Sequence, residues 1–484
     1  MSASVDLAPE DSFVTQRNPR LRLLIPMVVA VAFLMEQLDS TIITTAIPEM
    51  AASLQATPVQ MNLAVTTYVL ALAIFIPVSG WFADRYGARR IFVAALAIFT
   101  LGSIACGAAQ SFPMLIVTRA VQGFGGAMMT PVGRLILLRS FPRRDLVKAM
   151  TYTTLPAILG PVAGPLLGGV ITTYASWRWI FFVNIPFGLI GILLALRFVE
   201  DTRSEARTPF DVPGFLLVGA AVALIQVGME AAGRPGMPPS TIVALLAVAA
   251  AMLLGFGVYA RRTAHPAVDL GLFRNRSFAV GTLAGGLCRV GLNGAPFLLP
   301  LMLQVGFGLS PVVSGSLTFV SSVGAIFVRV VAGRLLRWFG FKAVLTGSSV
   351  VGGFLVASFA LLEPSTPWWI VAGSIFCFGL MRSTQFMSSN TLSYADLPAA
   401  KLSSATSLGG VLQQLSVSFG VSISAMVLSL VGGHGGVLTP SQFHETFLLT
   451  AIVPLLALPG FLFLRPEDGV QVSGHRIAAA GTKG

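Results

Sequence analysis

FLMEQLDSTIITTAIP, residues 33–48, forms the second half of the first long apolar segment and contains two acids, Glu36 and Asp39. A charge at the centre of a bilayer-spanning helix costs roughly 2.5–3.5 kcal/mol on insertion scales, so a chain keeps one there only where it has a partner or a task. Three residues apart, the two acids share one helix face, about 4.5 Å apart along the axis. The stretch therefore predicts a spanning helix whose acidic face looks inward and handles protons.

The whole chain has the composition of an integral membrane protein. Of its 484 residues, 55% are hydrophobic and only 10% are charged. Apolar runs of about 18–28 residues are long enough to cross a hydrocarbon core of about 30 Å. The sequence predicts fourteen such spans, near residues 23–48, 61–82, 91–109, 113–138, 147–172, 179–198, 213–230, 240–260, 277–304, 311–334, 343–362, 367–391, 402–431 and 445–464.

A net charge of +12 would suit a nucleic-acid partner, but the placement of the basic residues argues against one. Arginine clusters, such as Arg89 with Arg90, fall in every second connection, whereas the alternate connections hold only Arg178 and Arg234. This asymmetry follows the positive-inside rule of membrane proteins. We therefore expect a multi-pass protein of the plasma membrane, the inner membrane in a bacterium, with both termini in the cytoplasm.

The connection between the second and third spans reads GWFADRYGARR, residues 80–90. Asp84 among basic residues predicts a cytoplasmic ion-pair latch, with Arg85, Arg89 or a neighbouring helix end as partner, framed by Gly80 and Gly87. A basic loop that only fixes topology is the alternative. The stretch resembles the loop 2–3 signature of the major facilitator superfamily, and Gly333 and Gly340 repeat its glycine spacing in the second half. The resemblance implies two homologous helical bundles.

The fourth span carries Arg119 and Gln122 several residues inside the membrane. A guanidinium at that depth needs a counter-charge, and Asp39 lies at a similar predicted depth. The run resembles the superfamily's span 4 signature, which implies that Arg119 assists proton transfer together with Asp39 and Glu36. A purely structural ion pair is the other interpretation.

The fifth span repeats glycine every four residues, at Gly160, Gly164 and Gly168, and adds Pro165 and Gly169. Small residues at this spacing let another helix pack closely, and prolines allow a bend, so the segment is a predicted pivot. Packing alone is the alternative. The run GPLLGG resembles the superfamily's antiporter signature, which is typical of exporters.

Two further runs, residues 38–48 and 177–188, are similar to signatures of the fourteen-helix drug:proton antiporters of the EmrB/QacA type, although Thr44 stands where asparagine is usual. Residues 125–134 and 389–392 look closest to the MdtD-like branch. The resemblance implies an all-α major facilitator fold, not an enzyme. We expect a first six-helix bundle, connectors with two extra helices, and a second bundle with a cytoplasmic tail, at residues 1–203, 204–276 and 277–484.

The implied function is proton-coupled efflux of drug-like small molecules by alternating access, driven by the proton gradient without a cofactor. The expected partners are a small-molecule substrate, protons and membrane lipid, and the expected state is a monomer with no nucleic acid bound. A non-transporting sensor on the same fold is a distant alternative.

The second half contributes intramembrane polar residues that suggest a different substrate. Arg289 and Arg382 lie within predicted spans, near Asn293, and with Gln122 they are candidate substrate contacts. Buried arginines outnumber buried acids, and a guanidinium binds carboxylates through two hydrogen bonds. Export of organic anions, or of metal chelates of organic acids such as citrate complexes, is therefore an alternative.

Overall fold

The computed structural model describes residues 21–201, 209–233, 236–263, 266–398, 401–432, 438–465 and 467–475. The domain boundary predicted at residue 203 lies outside the described residues, as do the first twenty residues and those beyond 475. Within the described part the chain is helical, without β-strands.

Six helices build the first bundle. They are α1 Leu21–Ile42, α2 Asn62–Tyr86, α3 Ala88–Gly107, α4 Phe112–Ser140, α5 Arg143–Tyr174 and α6 Asn184–Phe198. A 3₁₀ turn, Ile43–Thr45, extends α1, and the short helix Trp179–Phe182 precedes α6. In the packing, α1 lies against α5 and α6, while α4 contacts both α2 and α3.

Two inserted helices follow, α7 Val212–Ala232 and α8 Pro239–Ala260. They pack on each other, and α7 also contacts α2 and a helix of the second bundle. Asp211 begins α7 by accepting a hydrogen bond from the Gly214 backbone amide at 3.0 Å, as an N-cap residue does.

The second bundle begins with α9, Arg276–Gly306, whose π-helical turns Val280–Ala284 and Met302–Gly306 interrupt the regular spiral. Next comes Pro311–Ser358, which reverses at Gly340, and the parts before and after that glycine are α10 and α11. The last three helices are α12 Trp368–Ala395, α13 Leu402–Gly432 and α14 Pro440–Leu462.

Among the described residues, twelve helices are both long and apolar enough to cross a membrane. The helices α4 and α5 are not among the twelve, but at 29 and 32 residues they have spanning length. Arg119, Arg134 and Arg139 lower the hydropathy of α4. Together these helices correspond to the fourteen predicted spans, and the predicted all-α fold is confirmed.

The repeated loop motif has the same backbone feature in both halves. Gly87 joins α2 to α3 with φ of 104°, and Gly340 joins α10 to α11 with φ of 71°. Side chains disfavour this region of backbone conformation, and glycine enters it freely. The two glycines therefore turn the chain at equivalent places in two similar helical hairpins.

The bundles meet around a central cavity, and its two ends differ in charge. We call the end with the α2–α3 and α10–α11 connections the arginine-rich end, and the opposite one the arginine-poor end. Hydrogen bonds join the bundles from the arginine-poor end inwards. They run from Gln304 Nε2 to the Thr45 carbonyl at 3.1 Å, from the Val312 amide to Thr173 Oγ1 at 3.0 Å, and from Ser322 Oγ to the Pro161 carbonyl at 2.9 Å. The seam between the bundles is therefore closed at this end.

Candidate functional site: a buried ion pair beside a central cavity

Asp39 on α1 and Arg119 on α4 form an ion pair inside the first bundle. Arg119 Nη1 donates to Asp39 Oδ2 at 2.5 Å, and the Arg119 and Asp39 side chains are 0% and 1% exposed. Since the pair is removed from water, neither charge can be lost without leaving the other uncompensated in the bundle. The structure thus places the two residues in the contact that the intramembrane arginine required.

Three further polar side chains complete the surroundings of Asp39. Gln122 Nε2 donates to Asp39 Oδ1 at 2.7 Å and to Ser103 Oγ at 2.7 Å, and Asn184 Nδ2 donates to Asp39 Oδ1 at 3.3 Å. All are buried. Ser103 and Asn184 were not among the residues predicted from the sequence; the available signal was Asn184 itself, a polar residue in the otherwise apolar run 179–196. With Arg119, these donors match an ionised carboxylate.

Arg119 is held on its other side by groups from α2. Its Nε donates to the Ala64 carbonyl at 2.8 Å, and its guanidinium carbon lies 4.3 Å from the centre of the Tyr68 ring. A cation over an aromatic face is stabilised by the ring quadrupole. Nη2 makes no hydrogen bond within the described residues. The arginine thereby ties α4 to both α1 and α2.

Glu36 occupies a different environment from Asp39, one turn away on α1. Its Oε2 accepts a hydrogen bond from Thr130 Oγ1 at 2.5 Å, and the residue forms part of the cavity wall. Asp39 is not among the described residues that line the cavity. The two acids therefore divide into one at the cavity and one sealed behind it.

The cavity has a volume of about 450 Å³ and unlike walls. The first bundle contributes Glu36 and neutral polar groups, whereas the second contributes arginines and amides. The polar residues lining the cavity include Glu36, Gln37, Ser40, Thr41, Thr44, Arg289, Asn293, Arg329, Arg382, Gln413 and Gln414. Its size and mixed lining suit a small organic molecule.

Arg289 and Arg382, the predicted substrate contacts, both lie in this wall. Arg289 Nη1 donates to Ser389 Oγ at 3.3 Å, while its buried Nε has no hydrogen bond within the described residues. Arg382 Nη1 donates to Asn293 Oδ1 at 3.5 Å. Gln122 requires a correction, because it lies in the core with Asp39 and is absent from the cavity wall. Its amide is already engaged by Asp39 and Ser103, so it is not placed to contact a substrate.

The loop motif forms an ion pair with the neighbouring helix end, which was one of the predicted partners, and not with Arg85 or Arg89. Asp84 Oδ1 lies 2.5 Å from Arg139 Nη2 on α4. Arg85 instead lies over the Trp81 ring at 5.5 Å, since consecutive residues of a helix do not face each other. Arg89, beyond the turn at Gly87, donates to the Val199 carbonyl at 3.5 Å. The pairing therefore links α2 to α4 inside one bundle.

Gly80 and Gly87 frame this motif differently. A methyl group at Gly80 would meet nothing within 4 Å, whereas one at Gly87 would overlap the carboxylate of Asp201, which follows α6. Asp201 also pairs with Arg90 at 2.9 Å. Gly87 thus permits both the turn and the close approach of α6's end.

The glycine stripe of α5 packs mainly within the first bundle. A methyl group at Gly160 would lie 2.7 Å from Gln37 Cβ, and methyl groups at Gly164 and Gly168 would overlap Thr41 and Thr45. The end of the stripe reaches the other bundle, because Gly169 meets Pro311 and the Pro165 carbonyl meets Gly315 on α10. The predicted pivot helix thus contacts both α1 and α10.

Comparison with known proteins places the chain in a family. The sequence pattern of the Major Facilitator Superfamily matches residues 29–421. Proteins provisionally named multidrug resistance protein MdtD are similar to this chain over most of its length. That of Pectobacterium atrosepticum is 37% identical over 449 residues, covering 92% of this chain and 96% of the relative. That of Escherichia coli O139:H28 is 38% identical over 450 residues, covering 92% and 95%. These matches confirm the resemblance to the superfamily and to its MdtD-like branch.

Solved structures agree on the fold. A bacterial homologue of the human lysosomal transporter Spinster, in an inward-facing and unoccupied conformation, superposes with a TM-score of 0.64 at 15% identity, over 91% of this chain and 96% of that one. The nucleoside transporter NupG gives 0.63 at 13% identity, over 91% and 98%. With fourteen helices of spanning length in the described ranges, a central cavity and this sequence similarity, the chain is a multi-span membrane transporter and not an enzyme, and it belongs to the Major Facilitator Superfamily.

Proposed function

We propose that the chain exports drug-like small molecules in exchange for protons, by alternating access across the bacterial inner membrane. The arginine-rich end faces the cytoplasm in this proposal, because short cytoplasmic loops carry an excess of arginine and lysine. The names of its MdtD relatives support export of drugs. The observation that carries the proposal is the central cavity with one acid, Glu36, in its wall and a second acid, Asp39, behind it.

Glu36 acts as the first proton acceptor in this proposal, which its place in the cavity wall supports. A proton entering the cavity reaches this carboxylate directly, and a neutral Glu36 no longer attracts a cationic substrate to the wall. Proton and substrate therefore compete for one site, which is the requirement for exchange. Thr130 Oγ1 holds the carboxylate in place at 2.5 Å.

Asp39 and Arg119 act as the conformational part of the cycle. Protonation of Asp39 removes the charge that Arg119 is paired with, so a buried guanidinium must find another partner or move. Because Arg119 also binds α2 through the Ala64 carbonyl at 2.8 Å, such a movement is transmitted between helices. The proton is thereby linked to the packing of α1, α2 and α4.

Flux in proteoliposomes under an imposed pH gradient tests the proposal. Wild-type protein is expected to move a cationic dye only with the gradient, while Glu36→Gln and Asp39→Asn lose gradient-driven transport. Glu445→Gln removes an exposed acid on α14 as a matched control and should transport normally. Dye movement by Glu36→Gln and Asp39→Asn at wild-type rate would refute the roles of both acids.

A second candidate function, export of organic anions, is favoured by the arginines of the cavity wall. The described lining of the cavity contains three arginines and one acid, namely Arg289, Arg329 and Arg382 against Glu36. Arg289→Gln and Arg382→Gln should abolish citrate flux and spare dye flux if anions are the substrate. Unchanged citrate and dye flux in both variants would assign these arginines to structure, and absence of any flux in the wild type would favour the sensor alternative.

A further inference from the structure

The inserted helix α7 lies across the seam between the two bundles. Towards the arginine-rich end it packs on α2, where Phe215 lies 6.0 Å from Phe75 between ring centres. Towards the arginine-poor end it packs on α13, where Ser429 Oγ donates to the Gly233 carbonyl just after α7 at 2.5 Å. The helix thus contacts one helix from each bundle.

Glu230, in the last turn of α7, is the point at which both contacts meet. Asn62 Nδ2 at the start of α2 donates to Oε1 at 3.0 Å and to Oε2 at 3.1 Å. Ser422 Oγ on α13 donates to Oε1 at 3.0 Å. A single carboxylate therefore binds the first and the second bundle together.

Gln226, one turn earlier on α7, strengthens the contact to the second bundle. Its Nε2 donates to Glu230 Oε1 at 3.3 Å and also to Ser422 Oγ, and its Oε1 accepts from Ser418 Oγ at 3.0 Å. Gln226, Ser418 and Ser422 are buried. The network fixes α7 to α13 at two successive turns, which leaves Glu230 aimed at Asn62.

The chemistry of this set suits an ionised carboxylate. Asn62, Ser422 and Gln226 all act as donors towards Glu230, and hydrogen bonds to a charged acceptor are worth about twice those between neutral groups. The residues that gather here belong to helices that must separate if the arginine-poor end opens. Glu230 cannot then keep both Asn62 and Ser422.

We propose that α7 is an inter-bundle strap and that Glu230, through Asn62 and Ser422, holds the arginine-poor end of the transporter closed. This gives the inserted helix pair a function in the transport cycle, and it rests on the alternating-access mechanism proposed above. Glu230 is a positioning residue in this scheme, because it sets the balance between conformations. It is not among the described residues that line the cavity.

Thiol modification of the cavity wall measures that balance without any need for transport. Thr44→Cys places the probe in the wall, next to Thr45, whose carbonyl takes part in the seal. Cys377→Ser removes the exposed native cysteine, while the buried Cys106 and Cys288 are retained. A membrane-impermeant, positively charged methanethiosulfonate is applied to intact cells and to inside-out vesicles, which expose opposite ends of the protein.

Glu230→Gln in this background is expected to speed modification from the arginine-poor face about tenfold and to slow it from the arginine-rich face. Tenfold is the change in population ratio expected on loss of one charge-assisted hydrogen bond. Asn62→Ala should act in the same direction, and combining the two should add less than the sum of their separate effects. Glu445→Gln, an exposed acid on α14, is the matched control and should leave both rates unchanged.

Equal rates for Glu230→Gln and its parent on both faces would overturn the strap, as would the same change in Glu445→Gln. Faster modification on both faces would also overturn it, since that result indicates general loosening. If Glu230→Gln is not recovered as folded protein, Asn62→Ala and Ser422→Ala provide the same test. If Glu230→Gln shifts the modification rates as expected but the wild type shows no gradient-driven flux, only the proposed function is overturned. If the wild type shows that flux but Glu230→Gln leaves the modification rates unchanged, only the strap is overturned.

Discussion

Replacement of Arg119 by methionine tests whether the buried ion pair is a matched unit. Arg119→Met keeps an unbranched side chain but removes the donors to Asp39 Oδ2 at 2.5 Å, Gln122 Oε1 at 2.8 Å and the Ala64 carbonyl at 2.8 Å. Asp39 is 1% exposed, so its charge stays buried without a cation. Loss of one partner from such a pair costs about 3–5 kcal/mol of unfolding free energy.

The same reasoning predicts a rescue. Adding Asp39→Asn to Arg119→Met removes the uncompensated charge, and Gln122 and Asn184 still have an oxygen to donate to at position 39. We expect the double variant to recover at least half of the lost free energy, because replacing both members of a buried pair costs far less than removing one.

Denaturant unfolding in detergent micelles measures these free energies, with the midpoint and slope compared for all variants. Arg334→Met on α10 is the control, since Arg334 is exposed, and a change below about 0.5 kcal/mol is expected there. A loss of less than about 1 kcal/mol in Arg119→Met, or a double variant no more stable than the single one, would refute the reasoning.

Three further outcomes follow from the packing and the loops. Gly164→Ala should destabilise the protein by about 1–3 kcal/mol, because the added methyl overlaps Thr41. Gly373→Ala, where the added methyl meets open space, should not destabilise it. Thermal unfolding compares the two variants, and equal melting temperatures would contradict the packing argument. Gly87→Ala should be destabilising and Gly80→Ala nearly neutral in the same assay, since only Gly87 has positive φ, and the reverse order would argue against backbone strain. Burial raises the pKa of Asp211, but hydrogen bonds from the Tyr259 hydroxyl and the Ala267 and Gly214 amides outweigh it and hold that pKa below its ordinary value. The ionised Asp211 therefore stabilises the folded protein above the unfolded pKa near 3.9, and this stabilisation is lost as pH falls through the lower folded pKa. The melting-temperature difference between wild type and Asp211→Asn should shrink at acid pH, and a constant difference would contradict the linkage.

Much of this architecture was predictable because the free energy of inserting a segment into a membrane depends mainly on that segment's own residues. An apolar run of spanning length forms a helix, and the cost of an intramembrane charge requires that Arg119 find an acid at its own depth. The glycine spacing shared by 80–87 and 333–340 predicted the repeated hairpin, which Gly87 and Gly340 make with positive φ. None of these inferences depended on knowing how the helices are rotated.

Rotation and partner choice were decided only by the tertiary structure. Glu36 and Asp39 lie three residues apart, yet packing of α1 against α4 and α5 puts one at the cavity and seals the other behind it. Of the partners that the sequence left open for Asp84, only the packing selected Arg139 at the end of α4 over Arg85 and Arg89.

Glu230 shows the same limit most clearly, since its position at a predicted helix end gave no sign of its contacts. Its donors, Asn62 and Ser422, are 168 and 192 residues distant in the chain. The sequence by itself determined which segments cross the membrane and which charges need a partner, because burial cost depends on residue type and depth. The tertiary structure alone decided which side chains meet, because each contact depends on how helices from distant parts of the chain pack together.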